Sequence, residues 1–448
     1  MKILIIIIGK IVAALSRFFN IGAGGTWPGE IALILDKDFI KKMNRSVKKG
    51  IILIAGTNGK TTTSKIIQKI LENEGKSNQV IRNRSGANLL NGIASALIKS
   101  ADFFGQVKTN WAVFEVDENV LELALKELTP KIVVGLNLFR DQLDRYGEID
   151  LIAEKWHRAL KKLPSQTTVI LNSDDPQIAY LGKELRADVV YFGLESQEYS
   201  KTKISHAADS IYCLFCGTRL DFKRVYFSHL GLWQCRKCGQ KRPIPILSNW
   251  DWFLPGIYNR YNTLAAVLAA KNLGIKDKNI KIALKSFEPA FGRGEEFRLK
   301  GRKVKILLSK NPTGFNVTLQ RIIEQKPKLV FLALNDRIPD GRDVSWIWDV
   351  DFEELVQKVD CLIVSGDRAY DLGLRLKYAM INQKSKIKNQ KHLPVGRHGI
   401  SKIKIIEELK SAIFYGLEKI NKNETLYILP TYSAMLKVRK ILRGRKIL

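Results

Sequence analysis

Residues 51–63, Ile51-Ile-Leu-Ile-Ala-Gly-Thr-Asn-Gly-Lys-Thr-Thr-Thr63, read as a buried strand that runs into a glycine-containing turn and out into a helix. The apolar run shows no alternation, as a central parallel strand covered on both faces requires. A loop after such a strand lies at its carboxyl end, where α/β sheets place ligands. Gly56 and Gly59 let the backbone of the loop, with Thr57 and Asn58, turn its N–H groups onto phosphate oxygens. Lys60 adds a point charge, and the Thr61 hydroxyl reaches toward Mg²⁺. The helix opening near Thr62 turns its positive end to the same anion. Ile54 stands where the first glycine of G-x-x-x-x-G-K-[ST] would be, so strand, Gly-Lys-Thr and helix together carry the nucleotide reading.

The 448 residues suffice for two or three domains with ample core. With 26% charged and 45% hydrophobic residues the chain is ordinary for a globular protein, yet 74 basic against 44 acidic residues give a net charge of +30. That excess points to an anionic partner, whether nucleotide, nucleic acid or lipid surface, without choosing among them. It is mostly lysine spread along the chain, so a generally solvated surface accounts for much of it. The opening Met1-Lys-Ile-Leu-Ile-Ile-Ile-Ile-Gly9 is too short an apolar run to span a bilayer and has no small-residue cleavage site. An amphipathic helix packed on the domain or lying on the membrane surface fits it, so the expected location is cytoplasmic, with peripheral membrane contact open.

Outward from the loop, the glycine-rich turn with Gly24, Gly25 and Thr26 reads as a structural turn or a second phosphate contact. The polar loop Asn83-Arg-Ser-Gly-Ala-Asn88 suits another anion. The segment Trp111-Ala-Val-Phe-Glu-Val-Asp-Glu118 is an apolar strand ending in carboxylates, and a carboxylate there is how such folds hold Mg²⁺. Glu115 is the first candidate, with Asp117 and Glu118 as rivals. Further strands begin near Lys131 and Thr167, alternating with helices, which argues for a doubly wound parallel sheet.

The pattern breaks at residues 205–245. Cys213-Leu-Phe-Cys216 and Cys235-Arg-Lys-Cys238 each precede a glycine, and 18 residues separate them. Four thiolates at this spacing satisfy tetrahedral Zn²⁺ with no open position, so the expected site is structural. Tyr226, Phe227, Trp233, Arg236 and Lys237 leave open whether the ribbon uses its aromatics for nucleic acid or for its own core. Asn259 and Asn262, three apart at a helix start, either read a nucleotide base or cap the helix. Residues 291–296 read as a hinge, and a second α/β domain begins beyond it. There residues 309–316, 335–349, 365–371 and 429–433, with Asn335, Asp343, Asp349 and Ser433 among them, are polar stretches that follow apolar strands, marking one rim of that sheet. Cys361, in an apolar run, is expected to be buried as a small hydrophobe. The basic stretch at 382–402 reads as a surface loop.

The loop at 56–61, Asp141-Gln-Leu-Asp-Arg-Tyr-Gly147, Asn172-Ser-Asp-Asp-Pro176, the Asn259/Asn262 pair and Gly292-Arg293-Gly-Glu295 resemble the Mur ligases, ATP-dependent amide-forming enzymes of peptidoglycan synthesis. The cysteine-rich insertion and Asp343-Val-Ser-Trp-Ile-Trp-Asp349 narrow the resemblance to the MurT branch. The resemblance implies an α/β chain: an N-terminal segment to residue 50, a P-loop domain over 51–300 with an inserted four-cysteine zinc ribbon, and a smaller α/β domain over 301–448. It implies ATP, Mg²⁺ and Zn²⁺ as cofactors, with Arg293, Asn259 and Asn262 on the nucleotide. The implied reaction is amidation of the D-glutamate α-carboxylate of lipid II, at the inner membrane surface, with ammonia from a GatD-like glutaminase and no nucleic acid involved. Asp349 would orient the partner's catalytic histidine, with Asp351 and Asp343 as the less favoured alternatives. Gln142 and Tyr146 replace histidines common in the family, and Lys155 lies near the place of a lysine that is often carbamylated. The competing expectations are a stand-alone Mur or folylpolyglutamate-type amino-acid ligase and a nucleic-acid-binding ATPase.

Overall fold

In the computed structural model of the chain, the described residues are 2–18, 26–75, 79–83, 87–107, 109–140, 149–197, 200, 204, 208–251, 254, 256–287, 293–309, 311–387 and 402–443. The chain divides into two compact units, one of residues 1–139 with 146–290 and the other of 140–145 with 291–448.

The first unit is built on six strands: β1 (Gly50–Ala55), β2 (Val80–Arg82), β3 (Trp111–Val116), β4 (Ile132–Gly135), β5 (Thr168–Asn172) and β6 (Asp188–Phe192). They pair in the order β2-β3-β1-β4-β5-β6, every pair parallel. Alternate residues of β1 enter opposite cores. Ile51, Leu53 and Ala55 join one apolar cluster, and Ile52 and Ile54 join the other. Both faces are therefore dry, which is why the strand reads as an unbroken apolar run.

On one face lie the loop helix Lys60–Asn73, through Ile66, Ile67 and Ile70, and the helix Ile257–Asn272. On the other lie the helices Lys2–Phe18, Trp27–Leu35, Phe39–Asn44, Leu90–Ser100 and Ile149–Leu160. No helix among the described residues is long and apolar enough to cross a membrane.

The ribbon is a hairpin of β7 (Asp221–Phe227) and β8 (Leu230–Gln234), flanked by the two cysteine turns. Gly217 and Gly239 close those turns at φ 65° and 73°, a left-handed backbone that a side chain would strain. The hairpin's aromatics face inward. Tyr226 and Trp233 are buried, the Trp233 indole donates to the Ser173 carbonyl at 3.0 Å, and Phe227 meets Phe139 edge-on at 5.8 Å. Arg236 is taken by Asp221 at 2.8 Å. Tyr226, Phe227 and Trp233 are thus spent on the ribbon's own core and seat.

The second unit contains β9 (Arg293–Leu299), β10 (Arg302–Leu307), β11 (Leu329–Ala333), β12 (Cys361–Ser365), β13 (Ile403–Ile405) and β14 (Thr425–Pro430). Their order is β13-β12-β11-β14-β10-β9, parallel except for β9, which runs antiparallel to β10.

Two sequence expectations change here. Of the stretch read as a hinge, residues 293–296 belong to the edge strand β9, which turns into β10 through Lys300 and Gly301, both at positive φ, while 291 and 292 lie outside the described residues. The helix Ala369–Ile387 continues into the stretch read as a loop from 382. Residues 388–401 lie outside the described residues, as do Gly24, Gly25, residues 141–147 and Gly292, and so does the Arg293 side chain.

One close approach sets the packing of the N-terminal helices. A Cβ on Gly29 would stand 1.9 Å from the Asn91 carbonyl oxygen, and the Gly29 N–H donates to Ser95 Oγ at 2.8 Å. Gly29→Ala is expected to force the helices Trp27–Leu35 and Leu90–Ser100 apart at a cost of about 1–3 kcal/mol. Urea denaturation of the variant measures it, and an unchanged midpoint would refute the packing argument.

Candidate functional site

The phosphate-type loop leaves β1 at Gly56 and enters its helix at Lys60, at the carboxyl edge of the sheet between β3 and β4. Its two glycines are required. Gly56 holds φ 147° with its Cβ position 2.9 Å from Leu136 Cβ, and Gly59 holds φ 90° with its Cβ position 2.1 Å from Asn262 Oδ1.

The loop is stapled to the segment after β4. The Asn58 N–H donates to Asn137 Oδ1 at 2.8 Å, and Asn137 Nδ2 returns a bond to the Asn58 carbonyl at 3.0 Å. The Thr57 hydroxyl donates to the Phe139 carbonyl at 3.2 Å and accepts the Phe139 N–H at 3.0 Å.

Lys60 Nζ folds back over the loop onto the Gly56 carbonyl, the Thr57 carbonyl at 3.2 Å and Glu118 Oε2 at 3.3 Å. The ammonium is thus held by two loop carbonyls and one carboxylate.

Glu115 is the electrostatic focus. Its carboxylate is 2% exposed, and its oxygens accept the Thr61 hydroxyl at 2.6 Å, the Ser64 hydroxyl at 2.7 Å and Arg82 Nη1 at 3.1 Å. Burial lowers the pKa of the Arg82 guanidinium, against which the charge of Glu115 works. Asn83 fixes the strand end, taking the Glu115 N–H at 2.9 Å and donating to its carbonyl at 2.8 Å. The rivals have other work: Asn88 Nδ2 holds Asp117 at 3.0 Å, and Glu118 pairs with Lys60. Asn83 and Asn88 thus brace the strand end, and residues 84–86 of the loop between them lie outside the described residues. Thr61 and Glu115 converge oxygen to oxygen, a donor set that fits a hard divalent cation.

Thr62 is buried in the first turn of the loop helix. Asn259 and Asn262 are also buried, and neither caps its helix, which begins at Ile257 after Gly256. Asn262 Oδ1 lies against Gly59, its Nδ2 donates to Asn259 Oδ1 at 3.2 Å, and Thr63 Oγ1 donates to its Oδ1 at 3.5 Å. Lys155 is exposed on its helix, while its neighbour Trp156 is buried and donates Nε1 to the Glu118 carbonyl at 2.7 Å.

The residues 172–176 serve the frame. Asn172 Nδ2 donates to the Leu136 carbonyl at 3.0 Å. Asp175 caps the helix Pro176–Tyr180 and accepts the Leu138 N–H at 2.9 Å. Asp174 accepts Arg242, the Tyr261 hydroxyl at 2.7 Å and the Leu194 N–H at 2.8 Å. Burial raises its pKa, and the charge of Arg242 opposes that shift.

The four cysteine Sγ atoms lie within 4.8 Å of one another, with cross-pair separations of 3.5 Å (Cys213 to Cys238) and 3.4 Å (Cys216 to Cys235). A closed set of four thiols at these distances fits a tetrahedral zinc ion. Cys361 stands apart at the start of β12, half-buried, with its thiol pKa raised by burial.

In the second unit the rim read as a site is partly a structural lock. Asp340 accepts the Ser433 N–H at 2.7 Å and its hydroxyl. Asn335 Nδ2 donates to Ser433 Oγ at 2.8 Å, and the Asn335 N–H donates to Thr431 Oγ1 at 3.0 Å. Asp343 is bound to Ser345 through its N–H at 2.8 Å and its hydroxyl at 2.9 Å. Asp349 ends the short 3-10 helix Ser345–Asp349, half-buried, and Asp351 precedes the helix Phe352–Lys358.

The buried Arg375 holds that corner, donating to the Val350 carbonyl at 2.6 Å and the Ile347 carbonyl at 3.3 Å. Beside it is an apolar stripe that the sequence reading missed: Trp348 with Tyr370, Leu374, Tyr378 and Ile381 of the helix Ala369–Ile387, all exposed. Trp348 and Tyr378 touch edge-on at 5.6 Å. The four-residue spacing of 370, 374 and 378 was a legible signal.

Two family descriptions match the chain, the Mur ligase middle domain over residues 54–270 and the MurT ligase C-terminal domain over 308–435. The subunit MurT of lipid II isoglutaminyl synthase (glutamine-hydrolyzing) from Staphylococcus aureus (strain COL) is 36% identical over 382 residues, covering 81% of this chain and 84% of that protein. This chain belongs to the MurT family of Mur ligases. The MurT subunit from Streptococcus pneumoniae (strain ATCC BAA-255 / R6) is 30% identical over 452 residues, covering 96% of this chain and 94% of its own. Among solved structures, a pseudomurein peptide ligase type C from Methanothermus fervidus shares the fold, with a TM-score of 0.63 at 23% identity, covering 91% of this chain and 81% of that one. The α/β architecture and the family resemblance read from the sequence both hold.

The purified chain is expected to carry about one zinc ion, released by a chelator together with a fall of several degrees in melting temperature. Colorimetric zinc release and a thermal melt read the two effects. Absence of metal from protein whose thiols are reduced would refute the assignment.

Proposed function

We propose that this chain is the synthetase subunit of a lipid II isoglutaminyl synthase, which amidates the D-glutamate α-carboxylate of lipid II to D-isoglutamine. ATP drives the reaction, and a GatD-like glutaminase subunit supplies the ammonia. The observation that carries this reading is the Lys60, Thr61 and Glu115 constellation in a chain of the MurT family.

The chemistry has two steps. A carboxylate oxygen attacks the γ-phosphorus of ATP and ADP departs. Ammonia then attacks the acyl carbon, phosphate leaves, and the nitrogen gives up a proton. The first step is chiefly positioning and charge neutralisation. In this reading the N–H groups of residues 56–61 hold the phosphates, and Lys60 leaves the loop carbonyls for the β/γ oxygens. Thr61 and Glu115 would hold Mg²⁺, which neutralises charge on the transferring phosphoryl group, and Asn259, Asn262 and Arg293 would attend the nucleotide. Zinc in the Cys213, Cys216, Cys235 and Cys238 cluster would be structural.

Ammonia needs a source, and no residue of this chain is assigned as a glutaminase nucleophile. Cys361, with its raised thiol pKa, has the wrong electrostatics for one. Asp349 would orient the partner's histidine, and the exposed Trp348, Tyr370, Leu374 and Tyr378 stripe beside it offers an apolar seat of the kind a stable subunit contact uses. The working location is the cytoplasmic face of the membrane, where a lipid-linked substrate would be met.

The deciding assay is mass spectrometry of lipid II incubated with the chain, ATP and ammonium. Conversion of one carboxyl to amide is expected, and Lys60→Ala should lower its rate by on the order of a hundredfold or more, the scale set by losing a charge that stabilises a transition state. Full activity in Lys60→Ala would overturn the site, and turnover only with an added amino acid would favour an amino-acid ligase. Separately, Asp349→Asn is expected to abolish glutamine-supported amidation by the two-subunit complex while leaving ammonium-supported amidation intact. Equal loss of both would remove Asp349 from the role.

A further inference from the structure

The N-terminal helix Lys2–Phe18 is seated by one side only. Ile5 and Ile6 are buried, and Gly9 lets the helix approach Leu90–Ser100 so closely that a Cβ there would stand 2.9 Å from Ile98 Cδ1. On the outer side Leu4 is 60% exposed, Ile11 53% and Leu15 50%, with Ile7 and Ile8 half-buried between them. The spacing 4, 7, 8, 11 and 15 lies along one helical stripe, it contains no polar residue, and no acidic residue occurs anywhere in the helix.

A second feature extends this face. Residues 101–107 form a tight turn closed by the Ala101 to Val107 bridge. Asp102 Oδ1 accepts the N–H groups of Phe104 at 2.9 Å and Gln106 at 2.8 Å. The turn is therefore built, and what it holds outward is Phe103, 67% exposed, and Phe104, 80% exposed. Lys10 Nζ lies 5.4 Å from the Phe103 ring centroid, and the Cβ position of Gly105 is 3.3 Å from Ile6 Cδ1 and 3.5 Å from Lys2 Cε. The turn meets the helix at Lys2, Ile3 and Ile6, and Ile3, 47% exposed, borders the stripe one turn before Ile7; Lys10 flanks Phe103, while Lys2 donates to Ser46 Oγ at 3.2 Å.

We propose that this surface docks on an anionic bilayer, with the helix lying in the headgroup boundary and the two phenylalanines inserted beside it. A helix of 17 residues is about 25 Å long, enough to lie in the interface with its apolar stripe down. Anionic headgroups neutralise Lys10, in keeping with the +30 charge of the chain. Pairing the same face with a second copy would instead oppose lysine to lysine. The proposal stands on the surface alone and does not depend on the reaction proposed above.

The test uses the full chain and vesicles without lipid II, made either of phosphatidylcholine alone or of phosphatidylcholine with phosphatidylglycerol, read by sedimentation. Binding to the phosphatidylglycerol vesicles is expected, weakening as salt rises. The double variant Phe103→Ser/Phe104→Ser, and separately Ile11→Ser, should bind about tenfold more weakly, with melting temperatures unchanged because these side chains face solvent. Failure of the parent chain to bind, or equal binding by parent and variants, would overturn the proposal. So would a dimer in size-exclusion chromatography that the variants dissociate while vesicles leave it unaffected, an outcome that assigns the face to self-association. ATP turnover is not read, so failure here is distinguishable from failure of the ligase reading.

Discussion

A carboxylate buried as deeply as Glu115 has to find its hydrogen-bond partners within the protein, and removing a single partner of such a group typically costs about 3–5 kcal/mol. Its partners come from separate parts of the chain: Thr61 and Ser64 from the loop helix, Arg82 from the end of β2, and Asn83 clasping its main chain. All of them can be satisfied together only when β2, β3 and the loop helix stand in one register. The charge that suits the site for a cation thus also fixes the geometry of the sheet edge around it. Asn58 and Thr57 extend the same constraint to the far side of the loop, so the backbone that would receive phosphates is held from both flanking strands before any ligand arrives.

Each unit uses this device in its own way. Asp174 is buried with Arg242, Tyr261 and Leu194 around it, joining the ribbon's exit to the long helix Ile257–Asn272. In the second unit Asp340, Ser433 and Asn335 tie the ends of β11 and β14. Polar residues gathered past these strand ends, whose hydrogen bonds close on one another, therefore hold the sheet.

Much of this was legible in the sequence because its signals are local. The run at 51–55 needs two dry faces, Gly56 and Gly59 need positive φ, and four cysteines at knuckle spacing need to converge; each follows from the residues themselves. The partners of Glu115 were not legible, since Arg82 and Ser64 reach it only through strand order, which no single segment encodes. Capping was the simpler reading of Asn259 and Asn262, and the helix start at Ile257 after Gly256, with Asn262 against Gly59, removes it. The edge strand β9 went unread because charged residues obscured the alternation of Phe297 and Leu299 and the turn at Lys300-Gly301. The apolar stripe beside Asp349 went unread because an exposed helix face and a buried one have the same period.

The ribbon's hairpin tip carries His229, fully buried, its ring 4.7 Å from that of Phe139 and its Nε2 3.4 Å from Asp175. Phe139 is the residue whose backbone the Thr57 hydroxyl grips. The insertion is thus a keystone and not an ornament. Cut out and rejoined, the chain would lose the wall behind its own loop, so the segment is not a portable module that can be trimmed for a minimal enzyme or grafted onto a relative without one.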